Sequence, residues 1–123
     1  MSEIHDFGYR APRFHVDFHF LMQIGGNEPR LLNARCRDIS EDGLAAQLPE
    51  PLEVGTGVTL ILTLPGSART VRIAGRITNR QAEDHGCVFL FGSLGERAFV
   101  REYLASLGGT RIPMARPSGQ ETR

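Results

Sequence analysis

Residues 14–22, FHVDFHFLM, decide the class of fold, because apolar and polar side chains alternate there. A period of two places every second side chain on the same face of a β-strand. One face therefore points toward a core and the other toward solvent, which predicts a half-buried strand. The residues on the apolar face are Phe14, Val16, Phe18, Phe20 and Met22.

More short strands follow, separated by turn-forming glycine, proline and asparagine every ten or so residues. The run from Val58 to Leu64 repeats the alternation, whereas Gly86 to Gly92 is apolar on both faces and is expected to be covered on both sides. Short strands at this spacing are typical of small barrels and sandwiches, which the pattern alone does not separate. The predicted strands are 14–22, 30–37, 43–48, 58–64, 71–77 and 86–92.

The periodicity changes at Ser93. Ser93 and Glu96 have the spacing of a capping box, in which each side chain accepts a hydrogen bond from the other residue's backbone N–H at a helix start. Apolar residues follow at helical spacing as far as Leu107, and Gly108-Gly109 ends the pattern. The sequence predicts a mainly β domain with one C-terminal helix.

The composition narrows the class of protein. A chain of 123 residues forms one domain, and its 14 acidic and 14 basic side chains cancel, which argues against binding nucleic acid by bulk charge. All the basic residues are arginine, so lysine chemistry is excluded. Cys36 and Cys87 are expected to be small buried residues. Neither a signal peptide nor an apolar stretch long enough for membrane insertion is visible, which predicts a cytoplasmic protein.

Motifs of the common enzymes are missing, among them GxSxG, HExxH, GxGxxG and the phosphate loop. His15 and His19 share a strand face but have no third metal ligand nearby in sequence. Ser40 has no base close to it in sequence, although His5 or His85 could lie near it in space. We therefore predict a protein that is not an enzyme and holds no metal or cofactor.

Two local features remain. Arg10 and Arg13 precede the first strand, and Asp38-x-Ser40-x-x-Gly43 precedes the third. Taken alone, the second feature is also an ordinary turn, in which Asp38 and Ser40 accept backbone hydrogen bonds and Gly43 supplies a left-handed conformation. Two arginines taken alone are typical of a solvated segment.

Together these features resemble the PilZ domain, a family of bacterial receptors for the second messenger cyclic di-GMP. The family pattern is RxxxR before the first strand and [D/N]xSxxG between the second and third strands of a six-stranded antiparallel β-barrel, which a C-terminal α-helix follows. The second motif matches position by position, whereas Tyr9 occupies the place of the first arginine and leaves RxxR. The organisation this implies is a flexible N-terminus over 1–8, a PilZ domain over 9–108 and a flexible C-terminal tail over 109–123.

The resemblance implies a receptor that binds cyclic di-GMP through Arg10, Arg13, Asp38, Ser40 and Gly43. Arginine suits phosphate and guanine, the carboxylate and hydroxyl suit guanine N–H donors, and glycine permits positive φ and close approach of the backbone to the ligand. Binding is expected to order the segment before Phe14 and to signal through an unidentified protein partner. Whether the protein forms a homodimer stays open.

Two alternatives stand beside this reading. A degenerate PilZ-like module would bind a protein without nucleotide, and Tyr9 favours it. A small barrel that binds single-stranded nucleic acid would need a basic groove with aromatic platforms. Zero net charge and phenylalanines that face the core argue against the second alternative.

Overall fold

The computed structural model describes residues 11–25 and 27–107 and the backbone of 111–112. Its elements, in chain order, are β1 (Arg13–Ile24), β2 (Arg30–Ile39), β3 (Gly43–Gln47), β4 (Gly57–Leu62), β5 (Val71–Gln81), β6 (Asp84–Leu90), α1 (Leu94–Leu107) and β7 (Arg111–Ile112).

The first six strands close into an antiparallel barrel. Their order is β2-β3-β6-β5-β4-β1, and the pairing of β1 with β2 joins the two ends. Closure rather than two stacked sheets identifies a barrel, so the predicted six-stranded antiparallel barrel with one C-terminal helix is confirmed. The two residues of β7 pair with Arg13 and Phe14 at the start of β1.

The alternation that predicted the strands also fills the barrel. On β1, Phe18, Phe20 and Met22 are buried, while His15 and His19 are exposed. A turn at Gly25, whose φ is +91°, returns the chain into β2. Burial of each large apolar side chain contributes about 1.5–3 kcal/mol before the entropic cost of folding. The completely buried residues are Met22, Cys36, Ile39, Leu60, Leu62, Ile73, Ile77 and Val100.

The capping box at the start of α1 is confirmed in one half and shifted in the other. The Glu96 N–H donates to Ser93 Oγ at 3.2 Å, as predicted. The Glu96 carboxylate instead accepts from the N–H of Gly92 at 2.8 Å, one residue before the expected partner. Phe99 and Val100 then join the barrel core, so the helix packs against the barrel as expected.

One expectation about β6 is wrong. Cys87 and Phe89 turn inward and are buried, but on the other face Gly86 and Val88 are only half-buried and Leu90 is exposed. Gly86 and Val88 form part of the floor of an open groove instead of meeting a covering layer.

Both cysteines are free and buried, as predicted. Burial raises the pKa of the Cys87 thiol to about 11 and moves the pKa of Cys36 upward as well. Within residues 11–25 and 27–107, no helix is long and apolar enough to cross a membrane.

Candidate ligand-binding groove

An open groove of about 660 Å³ crosses the outer face of the barrel above β3 and β6. The end of β2 and the loop after it form one wall, and the bulged part of β5 forms the other. We refer to it as the β3–β6 groove. Its first wall includes Arg13, Asp38, Ser40 and Asp42, its floor includes Gly43, Ala45, Gly86 and Val88, and its second wall includes Thr78 and Asn79.

Arg13 and Asp38 meet at the first wall as an ion pair, with Arg13 Nη2 2.5 Å from Asp38 Oδ1. The antiparallel pairing of β1 with β2 brings them together, because Asp38 lies opposite His15, two residues from Arg13. Their side chains are 45% and 20% exposed, so water and competing ions reach the pair. One guanidinium nitrogen makes this bond, and a guanidinium has five N–H donors, which leaves Arg13 donors for an anion.

The loop between β2 and β3 is ordered by its own hydrogen bonds. The Ser40 N–H donates to the Gly43 carbonyl at 2.8 Å, and Ser40 Oγ accepts from the Asp42 N–H at 3.1 Å. The Asp42 carbonyl in turn accepts from the Phe89 N–H at 2.8 Å, which attaches the loop to β6. Ser40 therefore makes the bonds of an ordinary turn while its side chain lines the groove.

Gly43 differs from the expectation of a left-handed backbone. The described residues with positive φ include Gly25, Gly55 and Gly66 but not Gly43. The need for glycine comes from the neighbouring strand: a Cβ at position 43 would overlap the Cys87 carbonyl oxygen and lie 3.0 Å from the Cα of Val88. The close approach is thus made to β6, and it keeps the groove floor flat.

The structure brings four of the five predicted site residues to one groove, namely Arg13, Asp38, Ser40 and Gly43. Arg10 lies outside the described residues, but Ala11, the next residue, is buried and lines the same groove.

His85, one of two histidines considered near Ser40, serves a different purpose. It is 1% exposed, and its Nε2 accepts from the Leu52 N–H at 3.1 Å, while its Nδ1 lies 2.9 Å from the Glu83 carbonyl. Both ring nitrogens are occupied by the backbone, so His85 is a structural residue in the core. The other histidine, His5, lies outside the described residues.

Sequence reasoning missed the second wall of the groove. Thr78 and Asn79 lie on β5 at a shift of register in its pairing with β6, and no turn or motif signal marks them. It also missed that Glu41, inside the Asp-x-Ser-x-x-Gly segment, accepts from Arg101 of α1 at 3.0 Å, which ties the loop to the helix.

Among the residues that the structure describes, no cluster of three histidine, cysteine or acidic side chains is placed to hold a metal ion. The groove offers hydrogen-bond donors and acceptors above a floor of small residues, an arrangement that suits a polar organic ligand.

The fold is a closed β-barrel with one C-terminal helix and an open groove on its outer face. The family model of the PilZ domain matches residues 9–106, and the chain belongs to the PilZ domain family. This is a family of cyclic di-GMP receptors that also interact with proteins. A search of curated proteins found no significant match.

Solved structures show the same fold at low sequence identity. The PilZ domain of CeSA from a cellulose-synthesizing bacterium is 16% identical with a TM-score of 0.63, over 77% of this chain and 96% of that one. The MrkH–c-di-GMP complex of K. pneumonia is 21% identical with a TM-score of 0.59, over 80% of this chain and 51% of that one. The inhibitor of motility MotI/DgrA of Bacillus subtilis is 19% identical with a TM-score of 0.50, also over 80% and 51%.

Proposed function

We propose that this chain is a receptor for cyclic di-GMP, an adaptor and not an enzyme, and that the dinucleotide lies in the β3–β6 groove. The observation that carries the proposal is the meeting of Arg13, Asp38 and Ser40 over a floor that Gly43 keeps flat. Arg13, Asp38 and Ser40 come from two strands and a loop. Arg13 matches the second arginine of the family's first motif, and Asp38 and Ser40 match positions of its second motif.

Each side chain suits one part of the ligand. Arg13 can bind a phosphate through two parallel N–H groups or donate to O6 and N7 of guanine. Asp38 accepts hydrogen bonds from guanine N–H groups, and the Ser40 hydroxyl adds a polar contact. A floor of Gly43, Ala45 and Gly86 leaves room for a flat purine ring.

Arg10 is proposed as the second cation of the site, because it directly precedes Ala11 at the groove. In this mechanism the ligand fixes the segment before Phe14 against the barrel, and a protein partner reads the resulting surface. The ion pair between Arg13 and Asp38 must rearrange when the ligand arrives, since both partners then contact the nucleotide.

Calorimetric titration with cyclic di-GMP tests the proposal, with Arg13→Ala and Arg35→Ala as a matched pair of variants. Arg35 is also an arginine in an ion pair, with Asp17, and it is 44% exposed, but it lies outside the groove. Saturable binding is expected for the wild type and Arg35→Ala, with a loss of about 10–100-fold in Arg13→Ala, because a hydrogen bond to a charged group contributes about 1.5–3 kcal/mol. Equal affinities of the two variants would contradict a ligand at Arg13.

Salt provides an independent check on the same contact. Pairing of Arg13 with a phosphate weakens as ionic strength rises, because exposed charges are screened. The wild-type affinity should fall between low and physiological salt, and a titration insensitive to salt would count against the arginine contact.

A second candidate is a module that binds a protein without nucleotide. It is favoured by the ion pair, in which Asp38 already binds Arg13 without a ligand, and by Tyr9 at the first arginine place. If the wild type shows no binding in the calorimetric titration, this second candidate is favoured. A search for a protein partner would then follow.

A further inference from the structure

The second wall of the groove has a polar group that no motif assigns. Register in the pairing of β5 with β6 shifts between Ile77 and Asn79, so that Asn79 lies opposite Gly86. Bulges of this kind turn a side chain away from the regular alternation of a strand and are frequent next to functional sites. Thr78 and Asn79 are both exposed at the groove as a result.

The absence of a side chain at Gly86 leaves room for the Asn79 amide. A Cβ on Gly86 would lie 2.5 Å from Nδ2 and 2.9 Å from Oδ1 of Asn79, so the amide occupies the space that any other residue at position 86 would fill. In the structure the amide is oriented with Nδ2 3.4 Å from Thr78 Oγ1. The side chain is therefore held against the floor with its polar atoms at the groove.

Asn79 and the ion pair stand on opposite sides of the groove. The sheet order β2-β3-β6-β5 places three inter-strand spacings between their strands, roughly 14 Å along the sheet at about 4.8 Å each. A single phosphate cannot touch both walls. An occupant that does so is extended, with a charged group at Arg13 and a second polar group at Asn79.

An amide is suited to the edge of a purine base. It presents a donor beside an acceptor in one plane, and guanine presents the O6 acceptor beside the N1–H donor. Adenine presents its donor and acceptor in the opposite order, so a given amide orientation pairs with only one of the two purines in the same pose.

We propose that Asn79 binds the base edge of the dinucleotide and sets its preference for guanine. This inference rests on the proposed function, because it assigns a residue within the same groove. It adds a base-reading contact on β5 to the phosphate and guanine contacts on the first wall.

The test compares Asn79→Ala with Asn33→Ala, titrated with cyclic di-GMP and with cyclic di-AMP. Asn33 is an exposed asparagine on β2 that pairs with Leu21 and lies outside the groove, so it controls for loss of an exposed amide from a strand. Asn79→Ala should bind cyclic di-GMP about tenfold more weakly, the loss of one or two hydrogen bonds. Binding of cyclic di-AMP, weak in the wild type, should not change, and Asn33→Ala should match the wild type with both ligands.

The outcomes separate this inference from the proposed function. If the wild type binds cyclic di-GMP and the affinity of Asn79→Ala lies within twofold of the wild-type affinity, the role of Asn79 is overturned. The proposal that the protein is a cyclic di-GMP receptor then still holds. An equal loss for both dinucleotides would overturn base reading, because it would reflect the shape or charge of the groove. A wild type that binds neither overturns the receptor and this inference together. Melting curves of both variants confirm that each is folded.

Discussion

The substitution Gly43→Ala tests whether this glycine is required by the fold. A methyl group at position 43 would overlap the carbonyl oxygen of Cys87 and lie 3.0 Å from the Cα of Val88. Both obstacles belong to the backbone of β6, which cannot rotate away as a flexible side chain can. The two strands must separate locally, and the bond between the Phe89 N–H and the Asp42 carbonyl is strained by the same movement.

The expected cost follows from overpacking. A methyl group forced into a well-packed region destabilises a protein by about 1–3 kcal/mol. A loss of about 2 kcal/mol lowers the melting temperature of a domain of this size by roughly 8 °C. The effect must appear in the protein without ligand, since the clash lies within the barrel.

Gly57→Ala is the matched control. Gly57 begins β4, its φ is not positive, and a Cβ there would have no neighbour within 4 Å. This variant should melt within about 2 °C of the wild type, because surface substitutions usually change stability by no more than about 0.5 kcal/mol. Thermal and urea unfolding by circular dichroism measure both. If Gly43→Ala has the same melting temperature and urea midpoint as Gly57→Ala, the reasoning is refuted.

Three further predictions concern the core, the thiols and the groove. His85→Ala should lower stability by about 3 kcal/mol in urea unfolding, because the buried N–H of Leu52 loses its acceptor; an unchanged midpoint would contradict this role. Stability should fall as pH rises from 9.0 to about 11, and Cys87 contributes about 2–3 kcal/mol of this loss, because only the unfolded state ionises that thiol in this range. In Cys87→Ala the free energy of unfolding should fall less steeply between these pH values. A slope identical to that of the wild type would exclude this thiol as a cause of the fall. Ala45→Leu should fill the groove floor and abolish cyclic di-GMP binding while the protein melts as the wild type does; retained binding would place the ligand elsewhere.

The fold could be predicted from the sequence because local pattern and burial agree. On β1 and β4 the alternating apolar residues are buried or half-buried, and Ser93 starts the helix as its spacing indicated. The outer face of β6 could not be read in this way. Small residues at Gly86 and Val88 look apolar in sequence whether they meet a covering layer or form the floor of an open groove.

The site was predicted where it is contiguous in sequence and missed where register creates it. Asp38, Ser40 and Gly43 lie within six residues of one another, so a motif identifies them. The pairing of Arg13 with Asp38 joins residues 25 positions apart, and the register of β1 with β2 determines it. Asn79 reaches the groove through a bulge, for which the sequence has no distinct signal.

Backbone amide shifts followed by NMR during titration with cyclic di-GMP test the central claim most directly. We predict saturable changes concentrated at Asp38–Gly43 and at Gly86–Val88, the first wall and the floor of the β3–β6 groove. The groove between the β4–β5 loop and α1, lined by Pro65, Arg69, Phe99 and Tyr103, serves as the internal control and should change least. Changes centred on that second groove, or an unchanged spectrum at saturating nucleotide, would contradict a receptor site between Arg13 and Asn79.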